Sequence, residues 1–160
     1  VSLESELTMP DFRTVEYTWQ RLRWILANSA GDLYIQTYNP EADWLAYITR
    51  ESSEFMSNVL KERKQFLWPP LVNLLRLSVK QLNKDHAIKT ARQLMASLQT
   101  IVHSGQAELV GPYADYNLKE RGKFVYHVLI KYPRTFKVEA LWRHLPTDVI
   151  IDRHPRYVLS

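Results

Sequence analysis

The sequence predicts an α+β fold, with residues 67–160 arranged as strand, helix, strand, strand, helix, strand. Three observations predict it. "KFVYHVLIKY" at 123–132 sets Phe124, Tyr126, Val128 and Ile130 at every second position, the period of a strand. Asn83 stands where a helix cap belongs, and Ala87, Ile88, Ala91, Leu94, Met95, Leu98 and Ile101 then recur at steps of three and four. "LWPP" at 67–70 places two prolines where no helix can continue, which separates this series from a helical N-terminal part.

In chain order, "MPDF" is a turn-like entry. Val15, Trp19, Leu22, Ile25 and Leu26 form the apolar stripe of a helix from Thr14 to about Asn28, with Gly31 as its expected C-cap. "DLYIQTY" alternates Leu33, Ile35 and Thr37 with Tyr34, Gln36 and Tyr38, which predicts a strand stopped by Asn39-Pro40. Residues 41–66 form a second helical zone with a stripe of Trp44, Leu45, Ile48, Phe55, Val59, Leu60 and Phe66, broken near Ser52-Ser53.

"LVNLLRLSVK" (71–80) is the next strand, and the helix after Asn83 runs to about Val102 and ends at Ser104-Gly105. "AELVGP" (107–112) predicts a short strand with a proline stop, and "YADYNLKERG" a polar loop leading into 123–132. Pro133 breaks that strand, "TFKVEALWRHL" (135–145) predicts a short helix, and "DVIIDRH" (148–154) a last strand. The order is the ferredoxin-like βαββαβ split unit, expected as a four-stranded antiparallel sheet with two helices on one face.

The chain has 160 residues, enough for one domain or a small domain with a piece of another. It begins at Val1 with no initiator Met, so an excised or processed chain is expected. Nothing approaches the roughly 18–20 apolar residues of a membrane span, and the acidic opening "VSLESELTMPDF" is not a signal peptide. Cys is absent, which excludes disulfides and thiolate zinc sites and fits a cytoplasmic protein. The net charge of +4 is unevenly spread: residues 1–66 hold 7 Lys/Arg against 10 Asp/Glu, and residues 67–160 hold 14 against 7. The basic part is where a polyanion would dock; the same charge could simply keep the protein soluble.

Alternation in the two central strands sorts the charges. Leu75, Leu77 and Val79, with Phe124, Tyr126, Val128 and Ile130, should form core. The opposite, open face would then carry Arg76, Lys80, Lys123, His127 and Lys131, and the preceding loop adds Lys119 and Arg121. These seven are the candidate DNA-binding residues, because cations on a sheet and its loop suit phosphate contacts. A solvated polar face, or a face packed on another domain, would carry the same pattern. Glu120 lowers the local field, and few aromatics accompany the cations, so base stacking is expected to contribute little. The aromatics of "VEYTWQRLRW" read as core.

No metal site is expected. His144, Asp148, Asp152 and His154 lie close in sequence but at no familiar ligand spacing, and His86 and His103 sit at the two ends of a helix. There is no Gly-rich phosphate loop and no nucleophile elbow, so no catalytic residue and no cofactor is expected in this chain.

Six segments in register resemble one family. "LTMPDFRTVEYTWQRL" is similar to a segment of the primosomal replication-restart helicases, PriA or primosomal protein N′, that reads roughly L-x-x-P-D-F-R-A-x-E-R-x-x-Q-L. "GDLYIQTYNPE" resembles its G-x-V-x-I-Q-T-x-x-P, and "ERKQFLWPPLVNLLRLSV" its E-x-R-x-x-x-x-Y-P-P-F-x-x-L-x-x-x-x-V. "ELVGP", "LKERGKFVYHVLIK" and "DVIIDRHP" resemble V-L-G-P, R-x-R-G-x-Y-R-x-x-L-L-L-K and I-D-V-D-P.

The resemblance implies that residues 1–40 are the end of the second helicase lobe, 41–66 a linking helix and 67–160 the C-terminal domain. The family's ATP, Mg and structural Zn bind upstream of these segments. Between Q-L and I-Q-T the family carries L-x-Q-V-A-G-R-A-G-R-G, whose arginines stabilise charge on the transferring phosphoryl group. Here the matching stretch is Leu22-Arg23-Trp24-Ile25-Leu26-Ala27-Asn28-Ser29-Ala30-Gly31, with Asn28 where the first arginine is expected. Both arginines are missing. The resemblance therefore implies a helix–strand remnant that has lost its chemistry. The parent would bind branched or single-stranded DNA at stalled forks, without helicase activity. Its implied partners are single-stranded-DNA-binding protein and primosome loading proteins, with no membrane.

The rival is a free-standing ferredoxin-like module that binds RNA or protein. An acylphosphatase-like enzyme on the same fold needs an anion-cradling loop with Arg and a paired Asn, and neither is evident.

Overall fold

Thr14–Asn28 forms a helix (α1) whose last carbonyls are satisfied by side chains. Asn28 Nδ2 donates to the Trp24 carbonyl at 2.8 Å, and Ser29 Oγ to the Ile25 carbonyl at 2.8 Å. Ser29, the C-cap, is extended (φ −95°, ψ 135°), and Gly31 has no positive φ. The expected glycine cap is therefore corrected: the two polar side chains do what a left-handed glycine would have done. This is a computed structural model, and it describes residues 3, 7, 11–50, 52–102 and 107–158. The chain divides into two units, Val1–Phe66 and Leu67–Ser160.

In the first unit "DLYIQTY" is extended but is not a ladder strand. It forms one bridge, in which the Gln36 carbonyl accepts from the Leu3 amide at 3.3 Å. A strand needs partners along its length, and no further backbone ladder forms here among the described residues. The alternation survives nonetheless: Leu33 and Ile35 pack on Trp19, Leu22, Ile48 and Phe55, while Tyr34 and Tyr38 are exposed. The second helical zone is a 3-10 helix at Asp43–Ile48 followed by an α-helix at Ser52–Gln65 (α2). Trp19 stacks on Phe55 with ring centroids 4.4 Å apart and donates its indole N–H to the Tyr47 carbonyl at 3.0 Å. Leu60 and Phe66, expected in the buried stripe, are exposed instead.

In the second unit Asn73–Gln81 (β1) leads to Asn83, whose Oδ1 accepts from the amides of Asp85 and His86 at 2.8 and 3.1 Å. This cap starts Lys84–Ile101 (α3), which buries Ala87, Ala91, Leu94 and Leu98. The helix end expected at Ser104-Gly105, with His103, lies outside the described residues. Then come Glu108–Glu120 (β2), Lys123–Tyr132 (β3), a 3-10 helix at Val138–His144 and Ile150–Arg153 (β4). The four strands form one antiparallel sheet in the order β2-β3-β1-β4. One face carries the expected core: Leu75, Leu77, Val79, Tyr126, Val128 and Ile130 meet the buried side of α3.

The short helix expected within 135–145 is present as a 3-10 helix, and its buried residues Val138 and Leu141 stand three apart, the 3-10 repeat. One expectation is corrected here. The expected short strand and polar loop are a single long strand. β2 passes through Gly111-Pro112 and continues to Glu120, and the turn is only Arg121-Gly122. Both turn residues have positive φ (47° and 79°), as a two-residue type I′ hairpin requires. Gly111 is required by its setting: its φ is +123°, and a Cβ there would lie 2.9 Å from the His127 carbonyl oxygen.

Candidate nucleic-acid interface

Pairing of β1 with β3 sets Leu74 opposite Lys131, Arg76 opposite Leu129, Ser78 opposite His127 and Lys80 opposite Val125. These residues share the face away from α3, as the alternation predicts. That face is not open. His127 is 2% exposed and Lys131 7%, and Ser78, Val125 and Leu129 are buried. The cover comes from residues far away in sequence. Arg76 Nη1 donates to the Tyr157 carbonyl at 2.9 Å, and Tyr113 Oη to the Val158 carbonyl at 2.9 Å. These bonds tie the segment after β4 across the sheet, with Pro155 and Val158 buried. Trp68 adds to the cover, with its ring centroid 4.1 Å from Lys131 Nζ.

The charges expected to bind phosphate on this face are mostly matched within the fold. Arg76 Nη2 donates to Asp152 Oδ2 at 3.0 Å, and Lys131 Nζ lies 3.4 Å from Glu108 Oε2. Lys80 pairs with Glu120, and that hydrogen bond holds the Glu120 carboxyl below its ordinary range. The open basic face is thus corrected for Arg76, Lys80, His127 and Lys131. Alternation names the residues of a face but carries no information on what later chain folds over it.

His127 lies between two partners. Its Nδ1 is 2.9 Å from Ser78 Oγ, and its Nε2 is 3.0 Å from Asp115 Oδ2. Burial pushes the His127 pKa down, outweighing the Asp115 hydrogen bond that raises it; Arg76 and Lys80 act with burial. The imidazole is therefore neutral near pH 7. Since a carboxylate only accepts, Nε2–H donates to Asp115, and Nδ1 accepts from the Ser78 hydroxyl. The composition is that of a hydrolase triad, but Ser78 is 4% exposed and its hydroxyl is out of a substrate's reach. The trio works as a structural network. Tyr113 packs on the His127 ring at 5.6 Å, and burial pushes its phenol well above the ordinary range.

Lys119, Arg121 and Lys123 are placed differently. All three are exposed at the tip of the β2–β3 hairpin. Lys119 Nζ rests 4.5 Å from the centroid of Phe124, while Arg121 and Lys123 close no ion pair with a carboxylate among the described residues. Glu120, the acidic residue within this run, is matched by Lys80, so the tip keeps most of its positive charge. Just before it, β2 is irregular: Ala114 pairs with Tyr126 and Lys119 with Phe124, leaving residues 115–118 opposite Val125 alone. The expected polar loop contains this bulge, and it holds Tyr116, which is 53% exposed and was not among the candidate residues. The signal that could have found it is Asp115 two residues before Asn117, whose amide donates to Asp115 Oδ1 at 2.9 Å.

Among the described residues no group of three His, Asp or Glu could hold a metal ion. No helix among them is long and apolar enough to cross a membrane.

No family model matches the chain. It is similar to the replication restart protein PriA of Thermotoga maritima, at 27% identity over 97% of this chain and 22% of that protein. PriA of Synechocystis sp. is 24% identical over 95% of this chain and 19% of that protein, and PriA of Bacillus subtilis 24% over 91% and 19%. The chain thus spans about a fifth of the length of the curated relatives it matches. The similarity is distant, covers most of the chain and falls on a small part of each relative.

Proposed function

We propose that this chain is the C-terminal portion of a PriA-like replication-restart protein that binds branched or single-stranded DNA. The observation that carries the reading is the similarity to PriA proteins over 97% of the chain. In this assignment residues 1–40 are the degenerate end of a helicase lobe, 41–66 the linking segment and 67–160 a ferredoxin-like C-terminal domain. The strand order β2-β3-β1-β4 and the antiparallel pairings support that domain reading. The exposed cations Lys119, Arg121 and Lys123 support DNA contact through phosphates.

The parent protein is proposed to lack helicase activity. Asn28 and Ser29 stand where the family's arginine motif falls, and both turn back to cap α1 instead of reaching outward. The loss of a transition-state arginine costs about 10³–10⁵ in rate. The proposed partners are single-stranded-DNA-binding protein and primosome loading proteins, in the cytoplasm, with no cofactor bound by this portion. Two measurements test the reading. A labelled fork titrated with the chain should bind, and steady-state ATPase of the full-length protein should show no stimulation by the same fork. Absence of fork binding sinks the DNA role; robust fork-stimulated turnover sinks the loss of helicase chemistry.

A further inference from the structure

We infer that the β2 bulge displays Tyr116 as a base-stacking platform, so that the hairpin tip prefers single-stranded DNA to duplex. This rests on the DNA-binding reading above and adds to it an interaction that distinguishes the two forms of DNA.

The bulge is anchored at both ends, on opposite faces of the sheet. On one side, Asp115 turns inward to His127 Nε2, with a side chain only 11% exposed. On the other, Leu118 packs against the core beneath α3 and holds a left-handed backbone with φ 54°. The chain therefore crosses from one face to the other within four residues, and the two between, Tyr116 and Asn117, are exposed. The Asp115 side chain also accepts from the Asn117 amide at 2.9 Å, which fixes the start of the crossing.

The backbone that carries Tyr116 is held outside the sheet edge by anchors on both faces, and the residue stays 53% exposed. That favours association with a flat partner. Lys119, Arg121 and Lys123 follow directly along the hairpin, so phosphates and a stacked base can be engaged together. Duplex DNA offers the same phosphates, but its bases are stacked on one another and closed to a ring at the tip. Cations alone would serve both forms; Tyr116 adds to the single strand only.

The test uses the whole chain, a short fluorescein-labelled oligo(dT), a blunt duplex and a polyglutamate peptide, followed by anisotropy. Tyr116→Ala should weaken oligo(dT) binding about tenfold, what one base–aromatic stack carries, and leave duplex binding unchanged. Tyr116→Trp should retain oligo(dT) binding. Arg121→Ala with Lys123→Ala should weaken both DNAs. If that double variant weakens binding but Tyr116→Ala does not, the stacking role is overturned and the DNA-binding reading stands. Equal loss on oligo(dT) and duplex in Tyr116→Ala overturns the stacking role as well. If the double variant binds both DNAs like wild type, or the chain binds only the acidic peptide, the DNA reading of the tip falls, and the stacking role with it.

Discussion

His127 Nε2 lies 3.0 Å from Asp115 Oδ2, joining the middle of β3 to the bulge of the edge strand beside it. The imidazole is buried at the centre of a sheet face, and the carboxylate belongs to the segment that shapes the hairpin tip. The buried network and the exposed cations are therefore one construction.

The pH dependence of stability follows from this pair. Burial lowers the folded pKa of His127 below the unfolded value of about 6.5. Between these two values the unfolded chain holds a proton that the folded chain does not. His127 therefore contributes its full stability above about pH 6.5, and loses it as pH falls toward the folded pKa, by at most about 1.4 kcal/mol per pH unit. Asp115, Arg76, Lys80 and Tyr113 are the charged or titratable groups that face it. Urea midpoints of wild type and His127→Gln, compared from about pH 7.5 to about 5.5 in steps of about half a unit, should converge as pH falls. Parallel curves would assign the loss to other groups.

Removing the carboxylate should cost more than an ordinary surface change. Asp115→Ala leaves the buried His127 Nε2–H without its acceptor, a penalty of about 1–3 kcal/mol. It also frees the Asn117 amide, so amide exchange across 115–118 should accelerate. Urea denaturation together with hydrogen exchange reads both effects. A variant as stable as wild type, with unchanged exchange, would mean the anchor is dispensable.

The backbone at the other irregularity of β2 is equally constrained. Gly111→Ala puts a Cβ 2.9 Å from the His127 carbonyl oxygen at φ +123°. Strain of this kind costs about 1–3 kcal/mol, visible as a lower thermal midpoint. An unchanged midpoint would show that the strand shifts freely there.

Much of this was legible in the sequence, for identifiable reasons. The helix over Thr14–Asn28 and the strand over Lys123–Tyr132 follow from strong periods, and the Asn83 cap from local chemistry. Three features were not legible. Pro112 reads as a strand stop, yet β2 absorbs Gly111-Pro112 as an irregularity on an edge strand, where a missing amide is tolerated. Arg121-Gly122 makes a two-residue turn without the usual Asn or Asp. The cover over Arg76, His127 and Lys131 is tertiary, carried by Tyr113, Trp68 and the segment after β4. Of the seven candidate cations, the hairpin tip keeps Lys119, Arg121 and Lys123 exposed.

The proposed DNA contact requires Lys119, Arg121 and Lys123 to neutralise phosphates. A labelled fork titrated at several salt concentrations with wild type and with the Lys119→Ala, Arg121→Ala, Lys123→Ala triple variant isolates that role. The log–log slope of affinity against salt should become shallower by about 0.7–0.9 for each phosphate that is no longer neutralised, with weaker binding to unrelated sequences alike. A triple variant that binds the fork with wild-type affinity and an unchanged salt slope would contradict the account.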